Sequence, residues 1–154
     1  MAEALRIPDP GQFDELPGAR AERWAGFGHW DRVYFPQEIG LVMEEARDGY
    51  ARMRLPYRPE LEQPAGVVHG GALATLVDTV VVPAVGAHYD EVPIMLTLSL
   101  TLQFLGAVRE EDAIAHGWVV RRGRSVVFCE AAVVTASGQP AVTGTLVYRI
   151  SQPR

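Results

Sequence analysis

Residues 67–78 read VVHGGALATLVD. A histidine and two glycines open a run in which Ala72, Leu73, Leu76 and Val77 recur, continued by Val80 and Val81. The spacing predicts a helix from Gly70 to about Val82 or Gly86, apolar on nearly every side. A helix that is hydrophobic all round is a buried one. Its three successive valines have modest helix propensity, so packing must sustain it. Pro83 predicts a kink or the helix end, because an interior proline loses a hydrogen bond and crowds the preceding turn.

The flanking segments read as strands. On the amino-terminal side, IGLVMEEARDGYARMRLP (residues 39–56) predicts two strands turning at Arg47-Asp48-Gly49, since Asp-Gly between such runs signals a hairpin. A proline-rich loop, PYRPELEQPAG, separates them from the helix. Beyond the helix, Ile94, Leu96, Leu98, Leu100, Leu102 and Phe104 alternate with Met95, Thr97, Ser99, Thr101 and Gln103. This predicts a long strand with one apolar and one mostly polar face. Residues 113–122, 125–136 and 141–150 predict three more strands. Short turns imply an antiparallel sheet, and one buried helix beside one sheet must be wrapped by it. The fold class expected is α+β, in a single domain over residues 35–154. Residues 1–34, rich in Pro, Gly and charge, form a leader in which Trp24, Phe27 and Trp30 anchor it to the domain or to another subunit.

Composition excludes several function classes. A net charge of −5 over 154 residues leaves no excess of cations to neutralise phosphates, so nucleic acid is not the expected partner. All fourteen basic residues are arginine. One cysteine, Cys129, excludes an internal disulfide and a cysteine metal cluster, and it reads as a small buried residue. The four histidines, at 29, 69, 88 and 116, lack metal-ligand spacing. The amino terminus has no secretory h-region, and the longest apolar run, Val80 to Ala87, is far short of the ~20 residues of a membrane span. A cytoplasmic protein without metal or membrane attachment is expected.

Three positions in the opening stretch bear chemistry. Gly70 and Gly71 expose backbone N–H groups at a helix N-terminus, suited to a carbonyl or oxyanion; they equally permit a tight turn. His69 either touches a ligand or holds the turn, and the structural role is preferred. Asp78 lies in an apolar helix, where an unpaired carboxylate costs several kcal/mol. No arginine lies between residues 59 and 108. Thr75 or Thr79 is the expected hydrogen-bond donor, and a catalytic role is favoured over a structural one. Eight residues of helix rise ~12 Å. Gly70 and Asp78 of one chain therefore cannot act on one carbonyl, and joint action requires two subunits.

The set GVVHGGALATLVD, the alternating strand ending FLGA, and RRGRSVVFCEAAV resembles the PaaI-type acyl-CoA thioesterases of the hotdog fold, over about residues 35–150. The resemblance implies a curved antiparallel sheet around one long helix. It implies dimers paired through their sheets, and dimers of dimers. It also implies hydrolysis of an acyl-CoA to free acid and CoA, with no cofactor beyond the CoA in the substrate. By resemblance, Asp78 is the catalytic acid, as nucleophile or general base, and Gly70 N–H polarises the thioester carbonyl. His69 stands beside it, Gln63 lies near the water or carbonyl, and Thr97 orients the water. Gly71 and the turn Arg122-Gly123-Arg124 fall at substrate-binding positions, the turn near the CoA phosphates; a solvated hairpin is the alternative for those arginines. The chain departs from the pattern at Gly106-Ala107, at Pro83 and in its long leader. Two rival functions remain at this level: a hydratase or dehydratase of the same fold, whose catalytic histidine and acid are placed differently, and a non-catalytic acyl-CoA sensor, which has no need of a buried acid.

Overall fold

The computed structural model describes residues 5–151; positions 1–4 of the leader and 152–154 lie outside the described residues. Strands β1 (Val42–Arg47) and β2 (Tyr50–Leu55) form the hairpin, and Gly49 at its turn takes a positive φ of 92°. The two-residue strand β3 (Glu62–Gln63) lies within the segment expected to be loop, and its partner β4 (Val67–Val68) follows directly after that segment. The helix, designated α3 because α1 (Gly18–Ala25) and α2 (Phe35–Glu38) precede it, spans Gly70–Gly86. It runs through Pro83 rather than ending there. Strands β5 (Ile94–Phe104), β6 (Ala113–Arg122), β7 (Val126–Thr135) and β8 (Pro140–Ser151) complete the chain.

Six strands form one antiparallel sheet in the order β1-β2-β6-β7-β8-β5. Helix α3 packs on its inner face, with Leu76, Val77, Val80 and Val81 fully buried among Ala51, Met53, Ala115, Val127 and Leu146. Two glycines in the sheet make the close approach possible. A Cβ on Gly117 would fall 2.8 Å from Val80 Cγ1, and one on Gly144 2.9 Å from Val77 Cγ1. The backbone of β6 and β8 can thus come against the valine stripe that the helix presents.

The long strand β5 differs from its sequence pattern. Its register against β8 slips between Thr97 and Ser99, so Leu98 is an extra, bulged residue. A bulge exchanges the faces of a strand. Met95 and Thr97 pair with the inward residues Ile150 and Tyr148, whereas beyond the bulge Leu100, Leu102 and Phe104 pair with inward Leu146, Gly144 and Val142. The six alternating apolar residues therefore do not share one face. Ile94 and Leu96 point away from the helix, and β5 is an edge strand. Ile94, Leu96 and Leu98 are 47%, 59% and 58% exposed.

The described part of the leader packs against this domain. Trp24 is buried in a slot left by Gly86, where a Cβ would lie 2.6 Å from its ring. Phe13 stacks on Tyr50 at the other side, with ring centroids 5.3 Å apart.

Candidate active site

The local sequence sets up the N-terminus of α3. His69 is its N-cap, in extended backbone conformation, and its Nδ1 accepts the Gly71 N–H at 2.8 Å. This is the structural role preferred for His69, and it occupies the Gly71 N–H, which the sequence reading had placed in substrate binding. The Gly70 N–H has no protein acceptor among the described residues. It sits at the positive end of a 17-residue helix, where a developing oxyanion is stabilised. Gln63 lies at the same end. Its Oε1 accepts from Ala65 N–H at 2.8 Å, closing the turn into β4, and its amide NH₂ carries no other hydrogen bond among the described residues. Gln63, Gly70, Leu73, Phe104 and Gly106 line an open groove of about 420 Å³.

The carboxylate of Asp78 stands two helical turns away, half-buried beside the edge strand. Thr97 Oγ1 donates to its Oδ1 at 3.0 Å. The Tyr148 hydroxyl, on β8, lies 2.7 Å from both Oδ1 and the Asp78 carbonyl, which share its one proton. Thr75 and Thr79 are not the donors: Thr75 Oγ1 is turned to the Gly71 carbonyl at 2.9 Å, and no hydrogen bond joins Thr79 to the acid. Burial, joined by the hydrogen bond to Asp78 and its charge and opposed by Thr97, pushes the Tyr148 phenol well above its ordinary range, so it remains a proton donor. With Oδ1 held twice, Oδ2 has no protein partner among the described residues and is left for a reactant.

The sequence reading missed Tyr148, although a signal was present. Leu146, Tyr148 and Ile150 alternate along β8, and a tyrosine on an inward face needs a partner for its hydroxyl.

The five catalytic candidates thus fall into two groups within one chain. Gln63, His69 and Gly70 gather at the N-terminus of α3, and Asp78 and Thr97 gather with Tyr148 at its middle. The third set of candidates lies elsewhere. Arg122 donates to the Val85 carbonyl at 3.2 Å and to Tyr89 Oη at 3.3 Å, which places its charge at the negative C-terminal end of α3. Gly123 closes the β6–β7 hairpin through its N–H to the Val126 carbonyl at 2.8 Å. Arg124 is exposed and in no ion pair among the described residues. Cys129 is buried, which pushes its thiol up to about 12 and makes it a poor nucleophile. No cluster of potential metal ligands occurs among the described residues, and no helix there is long and apolar enough to cross a membrane.

Residues 65–142, which contain the α3 N-terminus, Asp78, Thr97 and most of the sheet, match the Thioesterase superfamily. The chain belongs to this superfamily. A Halobacterium salinarum protein named as an esterase is 38% identical over 103 residues, covering 63% of this chain and 67% of that one. The hotdog fold is shared with the PaaI protein of the Escherichia coli phenylacetic acid degradation operon, with a TM-score of 0.76 and 14% identity over 86% of this chain and 94% of the other. It is shared also with a Streptococcus mutans protein solved bound to acetyl CoA, with a TM-score of 0.70 and 18% identity over 82% and 97%. The thioesterase superfamily relationship makes this chain a hydrolase of thioesters in general terms. Which thioester it cleaves, and with which groups, rests on the site itself.

Proposed function

We propose that this thioesterase hydrolyses acyl-CoA thioesters at a site shared by two copies of the chain. The observation that carries the reading is the separation of two complementary half-sites on one helix: an unpartnered Gly70 N–H at its start and a doubly held Asp78 carboxylate ~12 Å along it. The exposed apolar edge of β5 supports the pairing. Open sheet edges are covered in stable proteins, and a twofold axis through this edge sets two α3 helices antiparallel. The amino end of one helix then comes beside the middle of the other. The acetyl CoA bound to the Streptococcus mutans neighbour supports a CoA ester as substrate.

In the shared site, Gly70 N–H from one chain receives the developing oxyanion, and Gln63 of that chain positions the carbonyl or the water. Asp78 Oδ2 of the other chain accepts a proton from water as it attacks, or attacks the carbonyl itself to give an anhydride that water then opens. In both routes the tetrahedral intermediate collapses by breaking the C–S bond, and the CoA thiolate leaves and is protonated. Thr97 and Tyr148 fix the orientation of the acid. No cofactor enters this route. Arg124 is free for the CoA phosphates, to which arginine's planar fork is suited, whereas Arg122 is engaged with the helix. A dimer of dimers is proposed from the family resemblance alone, and a cytoplasmic location suits a CoA ester.

A thiol-release assay over acetyl-, hexanoyl-, benzoyl- and palmitoyl-CoA tests the reading. Turnover of at least one ester is expected, lost by at least about 10²-fold in Asp78→Asn with an unchanged circular dichroism spectrum. Tight binding of CoA esters without thiol release would make the protein a sensor instead, and hydration of an enoyl-CoA would make it a hydratase.

A further inference from the structure

We infer that residues 30–35 of the leader form a clasp that closes on a second copy of the chain, against the exposed end of the partner's β5. The inference rests on the shared-site reading and adds to it a surface that β5 itself does not supply.

Two apolar patches stand uncovered, one at each end of β5. The first is Trp30-Asp31-Arg32-Val33-Tyr34-Phe35, in which Val33 and Phe35 are 65% and 63% exposed. It stands at the start of the strand, where Trp30 and Val92 line one cleft. The second is Phe104 and Leu105 at the end of the strand, 55% and 54% exposed and bordering the same groove as Gly70. The length of β5, Ile94–Phe104, separates the two patches, ~34 Å at the extended rise per residue. One chain cannot lay one patch on the other.

A second copy can. Antiparallel pairing of β5 with its twin across a twofold axis sets the start of each strand opposite the end of the other. The clasp of one chain then meets Phe104 and Leu105 of the partner subunit, and the contact is made twice. The edge alone is narrow for a dimer. A stable interface takes about 20–30 residues a side, and β5 has 11. The two patches continue its apolar edge at both ends.

The segment has the chemistry of an interface and is preformed. Trp, Tyr and Arg dominate binding energy between proteins, and Trp30, Arg32 and Tyr34 supply all three. Rings step outward from buried Trp24 through Phe27 and Trp30 to Tyr34, with centroids 6.3, 4.9 and 5.3 Å apart. The Arg32 guanidinium lies 4.5 Å over the Tyr34 ring, and the Tyr34 N–H donates to Gln37 Oε1 at 2.9 Å. Arg20 fastens the helix before it to Asp90 with bonds of 2.9 and 2.7 Å. Little ordering is left to oppose association. The leader thus anchors to its own domain through Trp24 and to the partner through the residues from Trp30 onward.

Sedimentation velocity over a range of protein concentrations tests the clasp in the full chain. Val33→Asp with Phe35→Asp is expected to raise the dimer dissociation constant at least about 10-fold, the scale of losing interface anchors. The circular dichroism spectrum stays unchanged, since both side chains are exposed. Val120→Asp, exposed on β6 three strands from the edge, leaves the constant as it is. Leu98→Arg, on the β5 edge, dissociates the dimer. A dimer intact in Leu98→Arg overturns pairing through β5 and the shared site with it. Dissociation by Leu98→Arg beside an unmoved constant in the Val33, Phe35 variant overturns the clasp alone. Cross-linking gives a second measurement. Chains with Phe35→Cys and chains with Leu105→Cys are co-expressed and treated with a short bismaleimide, to which buried Cys129 is closed. Linked peptides joining positions 35 and 105 can come only from two chains and are expected; their absence overturns the clasp. Should no ester release thiol, the hydrolytic reading fails while both measurements still decide this surface.

Discussion

The single phenolic proton of Tyr148 is shared between two acceptors on Asp78, the carboxylate Oδ1 and the backbone carbonyl, each 2.7 Å from the hydroxyl. The last strand of the sheet thereby fixes the side chain on which the proposed hydrolysis depends. An acid free to rotate on a half-buried helix would reach the thioester in a fraction of its conformers. With Oδ1 pinned by Tyr148 and Thr97, Oδ2 is offered in one direction.

Tyr148→Phe is expected to lower kcat about 10-fold with little change in KM, because it misaligns the acid without touching the bound ester. The ring stays in the core, so the fold persists with a loss of about 1 kcal/mol for the missing hydrogen bonds. Steady-state thiol release measures the split. A raised KM at unchanged kcat would show that Tyr148 contacts the substrate rather than the acid.

Gly70→Pro is expected to remove one donor and little else. Proline is favoured at the first helical position, and His69 before it already has φ −60° and ψ 134°, which suits a residue preceding proline. The nearest atoms to a new Cβ belong to the Phe104 ring, at 3.3 Å. Loss of an oxyanion donor costs about 10²–10³ in kcat. Thermal melting together with thiol release checks this; near-parent turnover would remove Gly70 N–H from the mechanism.

Stability should fall with acidity in two stages. Burial, and then the nearby Arg52, lower the pKa of His116, whose Nδ1 is hydrogen-bonded to Tyr50 at 2.8 Å. The unfolded histidine takes up its proton first, near its ordinary value of about 6.5, so the stability due to this group is present above that pH and is lost as pH falls toward the folded value. Glu44 and Asp112 form the second stage. Burial opposes ionisation of Glu44, but Arg54 and Arg52 outweigh it and hold the carboxyl below its ordinary range. The Tyr57 N–H, followed by Arg54, does the same for Asp112. Their contribution is present above about pH 4 and is lost below it. Melting temperatures from pH 7 to pH 3 should show both steps, with His116→Asn removing the first. A profile flat over that range would contradict the assignment.

Much of the fold was legible because binary patterning and turn chemistry agreed. The all-round apolar run from Gly70 and the Asp48-Gly49 turn gave the buried helix, the hairpin and the wrapped sheet. Two bulges account for what was not legible, since an extra residue exchanges faces without altering alternation in the sequence. In β5 the extra Leu98 leaves Thr97 facing Asp78 and divides the leucine stripe between two faces. In β6 the register slips between Val119 and Arg121, which turns Arg122 inward opposite Val127 and onto the end of α3. The resemblance placed Arg122 near the CoA phosphates, with a solvated hairpin as the alternative; the contact it makes with the end of α3 was not legible in the sequence. Tyr148 was overlooked because its partner lies 70 residues away in sequence.

Mixed dimers decide whether the site is shared. Asp78→Asn and Gly70→Pro, each inactive alone, are co-expressed with different affinity tags and the doubly tagged species is purified. If Gly70 and Asp78 act from different chains, each mixed dimer holds one intact site and one doubly broken site, and shows about half of parental kcat per dimer. Mixed dimers as inactive as either variant alone would place both groups in one chain and contradict the shared site.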